Sequence, residues 1–189
     1  MKSFILIIFL FFFVVNNSSS NPIITGIEDN WNKIKSMSGQ FEQIDQEGNI
    51  FDGQFFFLKP FQSKFKYEGR EEDIITNQSL MVVVDKEGRQ IDSFYIGNSI
   101  LKKLLSEDIL IENEFDIISL TDENNFYHLL LKVKDDESDN HIKFVFDRQS
   151  LDLKKWEILD EFGNKTVFKF TKIKKNIFIS QKLFVVKYN

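Results

Sequence analysis

Apolar and polar residues recur with a helical period up to about residue 35, and from residue 38 onward they alternate with a period of two. Ile23, Ile27, Trp31 and Ile34 fall at helical spacing, so the pattern predicts an amphipathic helix over 22–35 whose stripe packs on a sheet. Strand-like stretches follow over 39–44 and 51–58, with Gly48-Asn49 suited to the hairpin turn between them. Phe65 and Tyr67 then alternate with Lys64, Lys66 and Glu68, and further short strands are expected over 80–84 and 90–96. The alternation lapses over 98–106. There Leu101, Leu104 and Leu105 line one side of a short helix, Lys102 and Lys103 the other, and Asn98 is placed to cap it. A helix of one or two turns inside a run of strands needs a sheet face or a ligand to cover its apolar side. Strands resume over 127–133, 142–146, 151–159 and 166–170, an acidic solvated loop occupies 135–140, and a strand over 177–186 closes the chain. The expectation is about ten strands in meander order with two helices, a mainly β protein.

The first twenty residues carry a separate pattern. Lys2 precedes an unbroken apolar run over 4–15, too short to span a bilayer comfortably, and 16–20 is small and polar. This is the form of a cleaved secretory signal over 1–20, which leaves 21–189 as one domain of the exported protein. The chain has no Cys, which excludes disulfides, thiolate metal sites and a lipid anchor on the chain itself. Its 42% hydrophobic and 28% charged residues are a globular composition. With 22 Phe and 2 Pro it favours sheet. The formal net charge of −5 sets nucleic acid aside as a partner.

Reactive chemistry is sparse. His128 and His141 fall on separate predicted strands with no ligand-spaced partner. No Gly-rich phosphate loop and no Gly-x-Ser-x-Gly elbow occurs, and the carboxylates sit at turns and on polar strand faces. The reading is therefore of a chain that is not an enzyme and uses no catalytic residue, metal or cofactor. What the strands offer instead is large aromatics on one face at period two: Phe55 with Phe57, Phe65 with Tyr67, Phe144 with Phe146, and Phe168 with Phe170. Such faces either fill an ordinary β core or wall a hollow.

One comparison bears on that choice. The amphipathic helix is followed by Gly39-Gln40-Phe41-Glu42-Gln43, then Gly53-Gln54-Phe55-Phe56-Phe57-Leu58-Lys59-Pro60, then Phe65-Lys66-Tyr67. This order and spacing resembles the LolA family, the periplasmic carriers of lipoproteins in Gram-negative bacteria. Ile74-Ile75-Thr76 takes the place of the family's strand before its central turn, and the strand over 80–85 ends in an aspartate as the family's does. Leu101 to Leu105 looks like its lid helix, and 142–146, 156–170 and the C-terminal stretch fit the rest. Two departures stand out: Lys59 replaces the family's Arg before Pro, and Phe61-Gln62 stands where many members have a Gly-containing loop.

The resemblance implies an unclosed antiparallel β-barrel covered by an α-helical lid, with acyl chains held in the hollow. On it, Phe55, Phe57, Phe65, Tyr67, Phe144, Phe146, Phe168 and Phe170 face the cavity, and Leu101, Leu104 and Leu105 belong to the lid. Lys59 becomes a candidate lid latch reaching carbonyls over 101–108, weaker than the family's Arg because an ammonium lacks the planar fork. The implied partners are acylated lipoproteins, an ATP-driven inner-membrane complex that loads the carrier and an outer-membrane acceptor that empties it, with the protein acting as a periplasmic monomer. The rival readings are a lipid-binding or sensor module of the same fold without outer-membrane handover, and an interaction domain with a filled core.

Overall fold

The computed structural model describes residues 21–97, 99–134 and 140–188. The expected signal over 1–20, Asn98 and most of the expected acidic loop lie outside the described residues. Helix α1 (Pro22–Asn32) starts where its sequence provides a cap: Asn21 Oδ1 accepts the Ile23 N–H at 2.9 Å, and Pro22 fits the first turn. Its buried stripe is Ile24, Ile27 and Trp31, with Ile34 just beyond; Ile23 is only partly buried.

The strands are β1 (Ser36–Ile44), β2 (Ile50–Leu58), β3 (Gln62–Tyr67), β4 (Glu72–Asn77), β5 (Leu80–Asp85) and β6 (Gln90–Tyr95). After two short helices, α2 (Ile100–Leu104) and α3 (Ile111–Glu114), come β7 (Phe115–Glu123), β8 (Phe126–Val133), β9 (His141–Asp147), β10 (Leu153–Leu159) and β11 (Lys165–Lys175). All eleven form one antiparallel sheet in the order β6-β5-β4-β3-β2-β1-β11-β10-β9-β8-β7, so β6 and β7 are the edge strands and the sheet is not closed; the start of β6 also bonds Lys187 of the C-terminal segment. It is nevertheless strongly curled. Phe65 on β3 and Trp156 on β10 are four strand positions apart, roughly 19 Å in a flat sheet, yet their ring centroids lie 6.5 Å apart. Phe57 and Trp156 stack at 6.2 Å across the same concave face. The core is this face, covered by α1 and α2.

Three expectations are corrected, and one strand expected from the resemblance is present. The strand β7 went unforeseen because adjacent Ile117 and Ile118 break the alternation; a bulge between Ile117 and Ser119 turns Ile118 outward. Strand β4 contains the expected Ile74-Ile75-Thr76 and also a buried Asp73, whose charge Lys86 Nζ at 2.9 Å and Lys64 Nζ at 3.3 Å neutralise. The stretch 177–186 is not a strand of the sheet. Ser180 caps a 3-10 turn, Gln181–Phe184, and the segment straps the convex face, where Phe184 is buried against Ile75, Val82 and Val84. Finally, the cap of α2 is Ser99, whose Oγ accepts the Lys102 N–H at 3.3 Å.

Three hairpins share one construction, Asp-x-x-Gly-x, at Asp45, Asp85 and Asp160. In each, the carboxylate accepts the N–H groups two and four residues on. Bonds from Asn49, Arg89 and Asn164 hold these carboxyls below the usual range. The glycine takes φ of 82–85°, a left-handed conformation that suits residues without Cβ.

Curling brings rings onto backbone. Across β1 and β2, Phe55 lies over its partner Gly39, and Phe41 over its partner Gly53. A Cβ on Gly53 would stand 2.3 Å from Lys66 O and 2.6 Å from the Phe41 ring. Gly53→Ala is therefore expected to destabilise the fold by about 1–3 kcal/mol through overpacking, read as a lower urea midpoint. An unchanged midpoint would show that the rings have room to give.

Candidate functional site

The concave face is packed at one end and hollow at the other. A cavity of about 330 Å³ runs from Tyr67 and Ile158, at the ends of β3 and β10, to Met81 on β5. Phe65, Tyr67 and Ile74 form one wall, and Trp156, Ile158 and Phe168 the other. Val133 and Asn140 complete the rim, and Ser99, Ile100 and Leu101 of the lid segment roof it. Among the described residues, none that lines the cavity carries a charge. Tyr67 turns its polar end away from the apolar wall: its hydroxyl donates to Gln43 Oε1 at 2.5 Å, and burial pushes the phenol up to about 12.

The sequence-predicted residues divide between hollow and packing. Phe65, Tyr67 and Phe168 line the cavity. Phe55, Phe57, Phe144, Phe146 and Phe170 are buried in the aromatic cluster beside it, where Phe55 meets Phe170 edge-on at 5.0 Å and Phe144 lies 5.9 Å from Phe146. Of the lid leucines, Leu101 reaches the cavity, while Leu104 and Leu105 are buried in the core. Sequence reasoning missed Trp156 and Ile158, although their period-two spacing on a predicted strand was visible, and it missed Ile74, Met81 and Ile100. Among the described residues, no group of three or more His, Asp or Glu is arranged to hold a metal.

The lid is held chiefly by α1. Trp31 Nε1 donates to Leu104 O at 2.8 Å in a buried bond. Asn32 brackets the next turn, donating to Ile109 O and accepting from Ile109 N, each at 2.9 Å. Glu28 accepts the Ile111 N–H. From the sheet side, Phe61 N–H donates to Leu105 O at 2.7 Å, and Lys102 Nζ reaches Ser79 Oγ at 2.9 Å.

Lys59 does not take the contact expected of it. Its ammonium donates to Trp31 O at 3.1 Å, near the last turn of α1, rather than to a carbonyl over 101–108. A helix C-terminus, with its partly unsatisfied carbonyls, is a natural seat for a cation, and the ammonium also lies 5.4 Å from the Trp31 ring. Its route to the lid is thus one residue longer: Lys59 to the Trp31 backbone, and the Trp31 indole to Leu104. Burial, then the nearby Lys35 charge, lower its pKa to about 8, against the opposing pull of Asp108 and Glu107.

An uncharged apolar hollow in a curled, unclosed antiparallel sheet, roofed by a helix, defines a class of open-barrel binding folds. Residues 32–187 match the family model of the outer membrane lipoprotein carrier protein LolA, and the chain belongs to that family. Among solved structures, an uncharacterized conserved protein from Thermus thermophilus shares the fold at a TM-score of 0.50 and 7% identity, covering 87% of this chain and 98% of that one. A chain of the Pseudomonas aeruginosa MucA/MucB complex aligns at 0.49 and 11%, covering 87% of this chain; this chain spans 60% of that one's length. A putative outer membrane lipoprotein-sorting protein domain from Vibrio parahaemolyticus aligns at 0.49 and 7%, covering 85% and 92%. No curated protein matches the chain in sequence. Among the described residues, no helix is long and apolar enough to cross a membrane.

Two outcomes follow from the lid attachments. Trp31→Phe keeps the ring but leaves Leu104 O without its side-chain donor, so amide exchange over 100–111 is expected to quicken, measured by hydrogen exchange with mass readout; unchanged protection would place the hold elsewhere. For Lys59, the folded state gives up the proton near pH 8 and the unfolded chain near its ordinary 10.5. Between these values the unfolded chain binds more protons, so stability gains as pH rises through that window, and the cost of burying the charge is fully present below it. Trp31 O keeps the Ile34 N–H when the ammonium is removed. Lys59→Met is therefore expected to be at least as stable as the parent at pH 7, with the parent gaining on it by pH 10. Denaturation midpoints at the two pH values decide; a constant difference would contradict the burial cost.

Proposed function

We propose that this chain is a soluble periplasmic carrier that shields the acyl chains of lipoproteins and shuttles them from the inner to the outer membrane. The observation that carries the reading is the cavity: about 330 Å³, walled by Phe65, Trp156 and Phe168, roofed by Leu101, and uncharged in its lining among the described residues. Membership of the LolA family supports it. Each CH₂ kept from water is worth ~0.8 kcal/mol, so an acylated protein crosses an aqueous compartment only with its chains covered. Aromatic walls under a helix held by a few backbone-directed bonds cover without gripping. Loading by an ATP-driven inner-membrane complex and unloading to an outer-membrane acceptor fit a chain with no reactive constellation of its own. The domain following a cleaved signal would be 21–189.

The cavity volume favours a second reading. It lies at the small end of ligand pockets, roughly 300–1,000 Å³, and suits one chain better than three. In the carrier reading this is the resting state, and cargo displaces α2. In the alternative, the protein binds or senses a single-chain lipid and hands nothing over.

The test is native mass spectrometry of the purified protein mixed with a triacylated lipoprotein and, separately, a single-chain fatty acid. The carrier reading expects a stable complex with the lipoprotein, and at least tenfold less complex with Leu101→Glu, because a carboxylate on the roof repels acyl chains. Phe65→Glu is expected to do the same if it folds. Binding of the fatty acid alone would favour the second reading.

A further inference from the structure

Two hydroxyls on the concave face have no hydrogen-bond partner. Ser63 Oγ and Thr76 Oγ1 are both buried without one, in residues of 0% exposure. They are not scattered: Ser63 on β3 and Thr76 on β4 are direct cross-strand partners, and Thr76 pairs in turn with Met81 on β5. Both look inward. Ser63 shares its face with Phe65 and Tyr67, and Thr76 with Ile74, all of which line the cavity, as does Met81. The pair therefore forms a polar rung on the face that carries this apolar wall, toward the strand ends.

The lid segment is bonded to the turns that flank this rung. Phe61, two residues before Ser63, donates to Leu105 O, and Ser79, three residues after Thr76, is held by Lys102. Leaving two buried hydroxyls unsatisfied is costly, and apolar residues of the same size would avoid the cost. Trp156 Nε1 is also without a partner, but it stands alone among the T-shaped ring contacts of Phe168 and Phe170, whereas Ser63 and Thr76 are two hydroxyls paired across adjacent strands.

We propose that Ser63 and Thr76 are a receptor for the carbonyl oxygen of an ester- or amide-linked acyl chain, exposed when α2 moves. The inference deepens the carrier reading and rests on it. Side chains directly opposed across an antiparallel pair stand about 5 Å apart, and a carbonyl oxygen has two lone pairs, so both hydroxyls can donate to one oxygen. The rung sits near the rim of the sheet, Ser63 second in β3 and Thr76 next to last in β4. A carbonyl there leaves the head group outside, beside Phe61 and Lys102, and sends the tail past Phe65 and Ile74 toward Tyr67. The wall would then select acyl chains over plain hydrocarbon at the one place where they differ.

The experiment compares binding of a dipalmitoyl lipopeptide with ester linkages and its ether-linked counterpart, using the parent and Ser63→Ala/Thr76→Val. The parent is expected to bind the ester form roughly fivefold more tightly, a preference within reach of one or two hydrogen bonds. The double variant should lose that preference while keeping the parent's affinity for the ether form, and Thr76→Ser alone should retain it. Equal affinities in the parent, or a preference that survives the double variant, would overturn the receptor and leave the carrier reading standing. Failure of the parent to bind either lipopeptide would overturn both.

Discussion

The apolar face of a sheet that does not close has to be covered, and this chain covers it with little. Eleven strands present their aromatic side to α1 and the two short helices α2 and α3. Curling lets the two halves of the sheet cover each other where Phe57, Phe65, Trp156, Phe168 and Phe170 meet ring to ring. Gly39 and Gly53 give the rings room to settle on backbone. Where the halves do not meet, the α2 segment stands between the wall and solvent, and there the cavity lies.

The distribution of polar bonds follows from the same constraint. A helix of five residues cannot be stable alone, so it is fixed through its carbonyls and N–H groups by side chains of α1. Trp31 serves three structures at once: its ring packs in the core, its N–H holds Leu104, and its carbonyl receives Lys59 and Ile34. Directional bonds of this kind are individually modest, about 0.5–1.5 kcal/mol net each, and a small number of them can be exchanged without disturbing the ring cluster beneath. The roof is thus separable from the walls.

Much of this was legible in the sequence because period-two alternation survives wherever one face is buried. Helices α1 and α2, most strands and the aromatic face could be placed from it, α3 could not, and the family resemblance supplied the open architecture. What was not legible has local causes. Adjacent isoleucines with a bulge hid β7. The apolar residues over 177–186 cover a second, convex cluster instead of extending the sheet, a choice that alternation alone does not distinguish. For the site, parity says which face a residue is on, not how deep along the strand the packing stops. Phe55 and Phe65 therefore looked equivalent, although one is sealed over a glycine and the other borders the hollow. Lys59 was placed on the correct face, yet its partner depended on where α1 ends, which no local pattern in β2 encodes.

That β6 and β7 do not pair with each other bears on how large the hollow can become. In a closed barrel, strand number and shear fix the circumference, and widening it means breaking a continuous ladder of backbone hydrogen bonds. Here no ladder joins the last strand to the first, and the seam is bridged by chain that carries the lid. The bore can therefore be set by whatever lies inside it without breaking the strand ladder, and one unbroken sheet can serve contents of different girth.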